Sequence, residues 1–223
     1  MTDPEKILLA TNARARAIPV TVVTAGSWCE SQKKLSAATK AWADANGFAG
    51  EAGRVLTIPG AKSEIAEILV GASSGVAADP FALGRLSRSL PDGIYELRGS
   101  VGDARLAALG WCLEAYAFTA YGKPAARVAR LVCPAKVDRE AVIRAAKAVH
   151  MVRDLVNTPA SDLGPDELEG AARAVARAHR AKISVTRGKA LERGFPMIHH
   201  VGKASPRSPR LIDFTWGASR APK

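Results

Sequence analysis

Short apolar runs rich in β-branched residues alternate along the chain with longer segments in which apolar residues recur every three or four positions. The short runs have the length and composition of strands, and most of them end at a Pro or Gly turn. Five such strands are predicted before residue 135: Ile18–Val23, Arg54–Pro59, Ile65–Val70, Gly93–Arg98 and Ala126–Cys133. Because the strands alternate with helical segments, the pattern predicts a layered α/β domain with a mixed or mostly parallel sheet.

Three aspartates mark predicted helix starts in this first part. Asp79 precedes a Pro, Asp103 precedes a short amphipathic segment, and Asp138 opens a long one that must end before Pro159. Residues 31–48 are helical or irregular. Three sets of residues recur at helical spacing: Phe81, Leu83, Leu86 and Leu90 on roughly one face, Leu106, Leu109, Gly110, Leu113 and Ala117 as a core-facing stripe, and Val142, Ala145, Ala146, Val149, Val152 and Val156 on the long amphipathic helix. The aromatic residues Trp111, Tyr116, Phe118 and Tyr121 are assigned to packing.

A second series of elements follows Gly164. Pro165, Asp166 and Glu167 restart a helix, because a proline and two acids suit its first turn. A short helical turn is predicted at Ala190–Arg193. The predicted strands are Lys182–Thr186, Met197–Val201 and Arg210–Gly217. Only residues 203–209 and 218–223 have the composition of linkers.

The net charge of +11 is confined to the second part of the chain. Residues 1–121 carry 12 Lys and Arg against 12 Asp and Glu, whereas residues 122–223 carry 20 against 9. Two explanations remain open at this point. The basic part could bind nucleic acid or another polyanion, or an acidic continuation of the protein could offset it.

Composition excludes a membrane protein and a disulfide framework. No segment approaches the roughly 18–20 apolar residues of a membrane span, and the acidic start of the chain is unlike a signal peptide. A cytoplasmic location is therefore expected. Cys29, Cys112 and Cys133 are odd in number, far apart and set in apolar surroundings, which predicts reduced, buried thiols.

Two segments have features of anion-binding loops, and each is better explained otherwise. Gly202-Lys203-Ala204-Ser205 lacks the earlier glycine of a phosphate loop, since position 197 is Met. The loop from Gly71 to Gly75 could form an anion nest, but a plain strand-to-helix turn is the favoured interpretation.

The histidines and acids do not assemble into an active site. His150 and His179 have no acid or cysteine at ligand spacing, and His199 and His200 on a strand would point to opposite faces. Helix-start preferences account for at least Asp166 and Glu167 of the acidic cluster, whose other members are Asp162 and Glu169. No Gly-x-Ser-x-Gly elbow occurs either. No catalytic, metal-binding or cofactor-binding residue is therefore predicted within residues 1–223.

A specific resemblance begins at residues 153–159, Arg-Asp-Leu-Val-Asn-Thr-Pro, followed by Asp162-Leu163-Gly164-Pro165. This stretch resembles the junction between the N-terminal and catalytic domains of the leucyl aminopeptidase (cytosol aminopeptidase) family. Residues 195–205, which end in Val-Gly-Lys-Ala-Ser, and residues 209–214 are similar to the family's next two segments. The resemblance covers residues 139–217, with Ser161 standing where the family often has Asn.

The resemblance implies an N-terminal macro-like α/β domain at residues 1–135, a connecting helix and junction at 136–164, and an incomplete start of the catalytic domain at 165–223. It implies peptide substrates, a homo-hexamer and two divalent metal ions, manganese or zinc, in the complete enzyme. The metal-binding Lys and the Asp and Glu ligands of the family follow the last strand seen here, so no metal is expected on this segment. That carboxylate-rich continuation would also offset the charge of +11.

Residues 1–135 are expected to fold alone, whereas residues 165–223 are expected to need a partner surface. The strands predicted near Ile183, Ile198 and Leu211 would otherwise leave sheet edges unpaired and an apolar face uncovered. One alternative hypothesis is a standalone macro-like module that binds nucleic acid, including DNA, or an anion through its basic part. Another is an inactive assembly subunit of the hexamer.

Overall fold

A computed structural model describes residues 3–61, 64–74, 78–122 and 129–218. The chain divides into two compact units, Met1–Arg153 and Asp154–Lys223. Within the described ranges, no helix combines the length and the apolar character needed to cross a membrane.

The first unit contains a sheet with helices on both faces. Its elements are α1 (Pro4–Ile7), β1 (Leu8–Leu9), β2 (Ile18–Val23), α2 (Trp28–Ser31), α3 (Ala37–Ala45), β3 (Val55–Pro59), β4 (Ile65–Gly71), α4 (Leu86–Ser89), β5 (Gly93–Gly99), α5 (Ala104–Glu114), β6 (Ala129–Val132) and α6 (Arg139–Asn157), the last of which continues into the second unit. Short 3-10 turns lie at Thr11–Arg16, Ala25–Ser27, Gln32–Lys34 and Ala82–Arg85. Residues 126–128 of the predicted strand Ala126–Cys133 lie outside the described residues, and β6 covers the rest as far as Val132.

The sheet has the strand order β1-β6-β5-β2-β4-β3. Neighbouring strands are parallel except β3, which runs antiparallel to β4. In the central register, Thr21 of β2 pairs with Leu69 of β4 on one side and with Arg98 of β5 on the other. The prediction of an α/β fold with a mixed sheet is confirmed.

The main core fills one face of this sheet. Val20 and Val22 of β2 point to the same face as Ile68 and Tyr95, because alternate residues of a strand share a face. Trp111 of α5 is fully buried against this face, and its indole N–H donates to the carbonyl of Ala129 at 2.9 Å. The predicted role of Trp111 in packing is therefore confirmed.

A smaller apolar cluster covers only part of the opposite face. It consists of Val23, Trp28, Ala43, Phe48, Ile58 and Leu69. The remainder of that face is polar, with Glu96 buried between Arg14 and Arg98, and with Thr21 bonded to Glu67.

Two of the three predicted helix caps agree fully with the structure. Asp103 accepts hydrogen bonds from the backbone N–H groups of Arg105 and Leu106 at 2.9 and 3.0 Å, and Asp138 accepts one from Ala141 at 3.0 Å. These bonds satisfy N–H groups that have no partner within the helix.

The helix predicted after Asp79 is less regular than expected. Asp79 does accept from the backbone N–H of Phe81 at 2.9 Å, but the chain then forms the 3-10 turn Ala82–Arg85 before the single turn of α4. Of the four residues predicted to lie on roughly one face, Leu83, Leu86 and Leu90 are buried, and Phe81 is 40% exposed.

Three side chains satisfy carbonyl groups at the end of α5. Arg88 donates to the Glu114 carbonyl at 2.6 Å, Arg153 donates to that of Leu113 at 2.6 Å, and His150 Nε2 lies 3.0 Å from the Cys112 carbonyl oxygen. Since a carbonyl only accepts, Nε2 of His150 carries the proton in this contact. These groups pair with carbonyls that a helix end leaves without internal partners.

All three cysteines were predicted to be buried, and the structure buries two of them. Cys112 and Cys133 are buried free thiols, but Cys29 is exposed. The reason is that Trp28 turns into the smaller cluster, so the next side chain of α2 faces solvent.

The second unit contains α7 (Pro165–His179), β7 (Lys182–Arg187), α8 (Lys189–Gly194), α9 (Pro196–Gly202) and β8 (Arg210–Thr215). β7 and β8 pair antiparallel, with Val185 opposite Ile212. The predicted strand Met197–Val201 is wrong, because these residues form α9. Pro196 occupies the first turn of that helix, and the apolar residues 197, 198 and 201 also fit a helical period.

The second unit buries very little apolar side chain. Among its described residues, Ala176 and Leu191 are the buried hydrophobic ones, and neither apolar core cluster extends past Ala146. Burial of apolar surface is the main source of folding free energy. This unit therefore has far less internal stabilisation than the first.

Candidate functional site

The junction segment, residues 157–168, is ordered by local hydrogen bonds from its backbone and side chains. Helix α6 ends at Asn157, and the hydroxyl of Thr158 donates back to the Asp154 carbonyl at 2.7 Å. The N–H groups of Asp162 and Leu163 both donate to the Pro159 carbonyl at 2.9 Å. Glu167 then accepts from the backbone N–H of Gly164 at 2.8 Å, which closes the N-terminus of α7.

Arg207 connects the segment before β8 to this junction. Its guanidinium donates to Glu167 at 3.3 Å, to the Ala160 carbonyl at 3.5 Å and to the Ser161 carbonyl. A side chain at Gly164 would collide with Arg207, so the glycine leaves room for the arginine. A residue more than 40 positions later in the chain thus fixes the shape of the junction.

Arg210, at the start of β8, is bound by two acids of α7. Its Nη1 lies 2.7 Å from Asp166 Oδ1 and 2.5 Å from Glu169 Oε2, and its side chain is 4% exposed. Glu169 is also bonded to Arg173 at 2.7 Å. These contacts attach α7 to the first residue of the last strand.

The arginines and backbone N–H groups shift the pKa values of these groups in the directions expected for ion pairs. Hydrogen bonds from Arg173 and then Arg210 lower the pKa of Glu169. The pKa of Glu167 is lowered mainly by the hydrogen bond from the Gly164 N–H. The pKa of Arg210 is raised mainly by the hydrogen bond that Arg210 donates to Asp166. Three acids of the predicted cluster, Asp166, Glu167 and Glu169, are thus engaged by arginines.

An apolar groove lies between α7, α9 and β8, with a volume of about 680 Å³. Its lining residues are Leu163, Gly164, Pro165, Leu168, Met197, Ile198, Val201, Gly202, Pro209, Arg210 and Ile212. Met197 and Val201 are 77% and 81% exposed, which is unusual for large apolar side chains so close together. The groove is a surface suited to packing against further protein.

The histidines occupy separate places rather than one site. His150 is buried in the first unit against the Cys112 carbonyl, and His179 lies beside Phe214 and Trp216 in a small apolar cleft. His199 and His200 lie on helix α9, not on a strand as predicted, and their ring centroids are 5.8 Å apart. Within the described ranges, no three His, Cys, Asp or Glu residues come together in a way that could hold a metal ion.

The structure describes the whole of one candidate anion loop, Gly202–Ser205, and only part of the other, Gly71–Gly75. Gly202 is the last residue of α9 and Lys203 follows it, so this segment sits at a helix C-terminus, the opposite end from a phosphate-binding one. Gly75 of the loop Gly71–Gly75 lies outside the described residues. Gly71 itself ends β4 with its Cα close to the backbone of Glu51, where a side chain would not fit.

Sequence reasoning did not identify Arg207 or Arg210 as organising residues. Their partners lie 40 or more positions earlier in the chain, and no local pattern links an arginine to a distant acid. The one available signal was a cluster of acids at a helix start that exceeded what the helix dipole needs.

The comparisons with known proteins match both units in chain order. The sequence model of the M17 aminopeptidase N-terminal domain matches residues 18–134, and that of the cytosol aminopeptidase family catalytic domain matches residues 150–223. The two matches follow one another along the chain in the same order as the two units. The chain belongs to the M17, or cytosol aminopeptidase, family.

Individual relatives agree with this assignment. A probable cytosol aminopeptidase of Rhodococcus opacus is 37% identical over 142 residues, covering 56% of this chain and 28% of the relative. The crystal structure of the Coxiella burnetii cytosol aminopeptidase is 33% identical, with a TM-score of 0.87 over 97% of this chain and 47% of that one. A bottromycin maturation enzyme in complex with Mn shares the fold at 22% identity, with a TM-score of 0.71 over 92% of this chain and 46% of that one.

The chain spans less than half the length of these relatives. The family resemblance implies divalent metal ions, but the residues described here do not fit them. Asp166, Glu167 and Glu169 are bonded to arginines, and no other acids, histidines or cysteines of the described part form a ligand set.

Proposed function

We propose that this chain supplies the N-terminal domain and the first catalytic-domain elements of a metal-dependent leucyl aminopeptidase, which removes N-terminal residues from peptides. The observation that carries the proposal is the consecutive match of both family domains to residues 18–134 and 150–223. The proposed domains are residues 1–135, the connecting helix and junction at 136–164, and the start of the catalytic domain at 165–223.

The weak core of the second unit supports this assignment. A unit that buries only Ala176 and Leu191 among its described hydrophobic residues, and that exposes an apolar groove, gains stability by packing against additional protein. In this proposal, the remainder of a catalytic domain covers the groove and contributes the metal ligands. The metals are manganese or zinc, and the complete enzyme is a cytosolic homo-hexamer acting on peptides.

A standalone nucleic-acid or anion-binding module is not favoured. The basic part of the chain, which motivated that hypothesis, overlaps residues 150–223 matched by the catalytic-domain model, which carry 13 Lys and Arg against 7 Asp and Glu, or +6 of the net +11. Its charge is then explained by an acidic continuation rather than by a polyanionic ligand.

A complementation experiment tests the proposal. The 223-residue chain would be coexpressed with the portion of the Coxiella burnetii enzyme that lies beyond the matched 47%. We expect a stable complex on size-exclusion chromatography and manganese-dependent hydrolysis of a leucine anilide that neither part shows alone. Failure of the two parts to associate, together with no turnover, would contradict the proposal.

A further inference from the structure

In the first unit, the sheet face opposite the main core has a polar part, and this part forms a concave trough of about 490 Å³. The trough lies over strands β2, β4 and β5 and beside the segment that leads into α3. Its volume falls within the range of small-molecule sites in proteins. All of its lining residues lie between Pro19 and Gly99, so none of them belongs to the second unit.

Polar side chains cross the floor of the trough on three adjacent strands. Glu67 lies on β4, Thr21 on β2 and Arg98 on β5, and Thr21 pairs with Arg98 in the sheet register. The Thr21 hydroxyl donates to Glu67 Oε1 at 2.5 Å. Two strand spacings, about 10 Å, separate the outer strands, so a carboxylate and a guanidinium flank the threonine. Central strands of parallel sheets are normally apolar on both faces, which makes this polar row a departure.

The charges around the trough have unused hydrogen-bonding capacity. In the part of the chain that the structure describes, Glu67 forms no ion pair, and its second oxygen has no donor. Arg98 uses Nε and Nη2 to bind Glu96 at 2.8 and 2.6 Å, which leaves Nη1 available. Lys34 on the wall also has no acidic partner among the described residues.

The rest of the wall near these charges is partly apolar. Val23 and Leu35 both line the trough. Val23 is a member of the smaller apolar cluster, and Leu35 packs against that cluster. A ligand that matched all of these groups would carry a positive group for Glu67, a negative group for Arg98 and Lys34, and an aliphatic body. An inorganic anion would meet Glu67 as a repulsive neighbour.

We propose that the trough binds a zwitterionic amino acid or short peptide, with its ammonium group at Glu67 and its carboxylate at Arg98 and Lys34. This inference goes beyond the proposed function and does not depend on it, since it concerns a binding site on the first unit that needs no catalytic step.

The test uses the 223-residue chain and ligands that differ in one charged group. L-leucine would be titrated by calorimetry and by amide NMR, beside N-acetyl-L-leucine, which lacks the ammonium, and L-leucinamide, which lacks the carboxylate. We expect saturable leucine binding, with shifts in β2, β4 and the 31–39 segment, and affinities about tenfold weaker for either analogue. Equal binding of the three compounds, tighter binding of inorganic phosphate, or no saturation by about 10 mM leucine would overturn the proposal.

Two substitutions locate the site. Glu67→Gln keeps an acceptor for Thr21 and removes the charge, so it should abolish the preference for leucine over N-acetyl-leucine. Lys34→Met should weaken leucine but not leucinamide. Lys33→Met is the matched control, because Lys33 pairs with Glu30 and does not line the trough. Unchanged leucine binding in both Glu67→Gln and Lys34→Met would refute the site. If a variant does not fold, the comparison of the three ligands on the unmodified chain still tests the proposal.

Discussion

Arg210 Nη1 lies 2.5 Å from Glu169 Oε2, and the two side chains are 4% and 10% exposed. Asp166 and Arg173 complete a network of two cations and two acids that joins α7 to β8. Because Arg210 and Glu169 are both largely buried, removing Arg210 leaves the Glu169 carboxylate poorly solvated, whereas Asp166 is 64% exposed and remains solvated. In a unit with almost no apolar core, we expect the buried Arg210–Glu169 pair to help attach α7 to β8.

Replacing Arg210 by Met should therefore loosen the second unit. We expect faster hydrogen exchange of the amides of α7 and β8 and no change in β2, β4 and β5, which belong to the first unit. Arg177→Met is a suitable control, since Arg177 is exposed on α7 and has no ion pair among the described contacts. Equal exchange in the Arg210→Met chain and in the unmodified chain would show that the network does not hold α7 to β8.

Acid should affect the second unit through Glu169. Because arginine hydrogen bonds lower its pKa in the folded state, the unfolded chain binds the proton at higher pH. The stabilisation is fully present above the ordinary carboxyl pKa and is lost as pH falls through the lowered folded value. Circular dichroism denaturation at pH 7 and at about pH 3 should show this loss, and Glu169→Gln should reduce the difference between the two pH values.

The three thiols should differ sharply in reactivity. Burial raises the pKa of Cys112 to about 12 and also raises that of Cys133, whereas Cys29 is exposed. At pH 8, a thiol-specific reagent should modify one cysteine rapidly in the native chain and all three in denaturant. Cys29→Ser should remove the rapid phase, and a rapid phase that survives this change would place a second thiol at the surface.

Trp111 should be among the most costly residues to truncate in the first unit. It is fully buried and donates to the Ala129 carbonyl, so Trp111→Ala removes both packing and a hydrogen bond. We expect a loss of about 3–5 kcal/mol in the free energy of unfolding, measured with urea. Trp42→Ala is the control, because Trp42 is 43% exposed and should cost much less.

The 223-residue chain by itself should not hydrolyse a leucine anilide in the presence of manganese. The reason is that the described residues form no metal-ligand set, and the family resemblance assigns the ligands to a later segment. Turnover that depends on metal and is abolished by a chelator would refute this expectation. The isolated chain should at the same time give a cooperative unfolding transition from its first unit, which shows that the sample is folded.

The sequence predicted most of the first unit because its signals are local. Alternating apolar residues fixed the strands, and Asp103 and Asp138 marked helix starts through bonds to N–H groups only three positions away or fewer. The same logic failed at Met197–Val201, where a short apolar run fits both a strand and a helix. It also failed at Cys29, since neighbours on one short helix can face opposite ways.

The sequence by itself determined the α/β class, the helix caps at Asp103 and Asp138, and the family that the chain resembles. Only the tertiary structure decided that Arg207 and Arg210 hold the acids of α7, that Glu67, Thr21 and Arg98 share one trough, and that the second unit is nearly without a core. The physical reason is distance along the chain. Capping and periodicity act within a few residues, whereas ion pairs and shared faces join residues 40 or more positions apart.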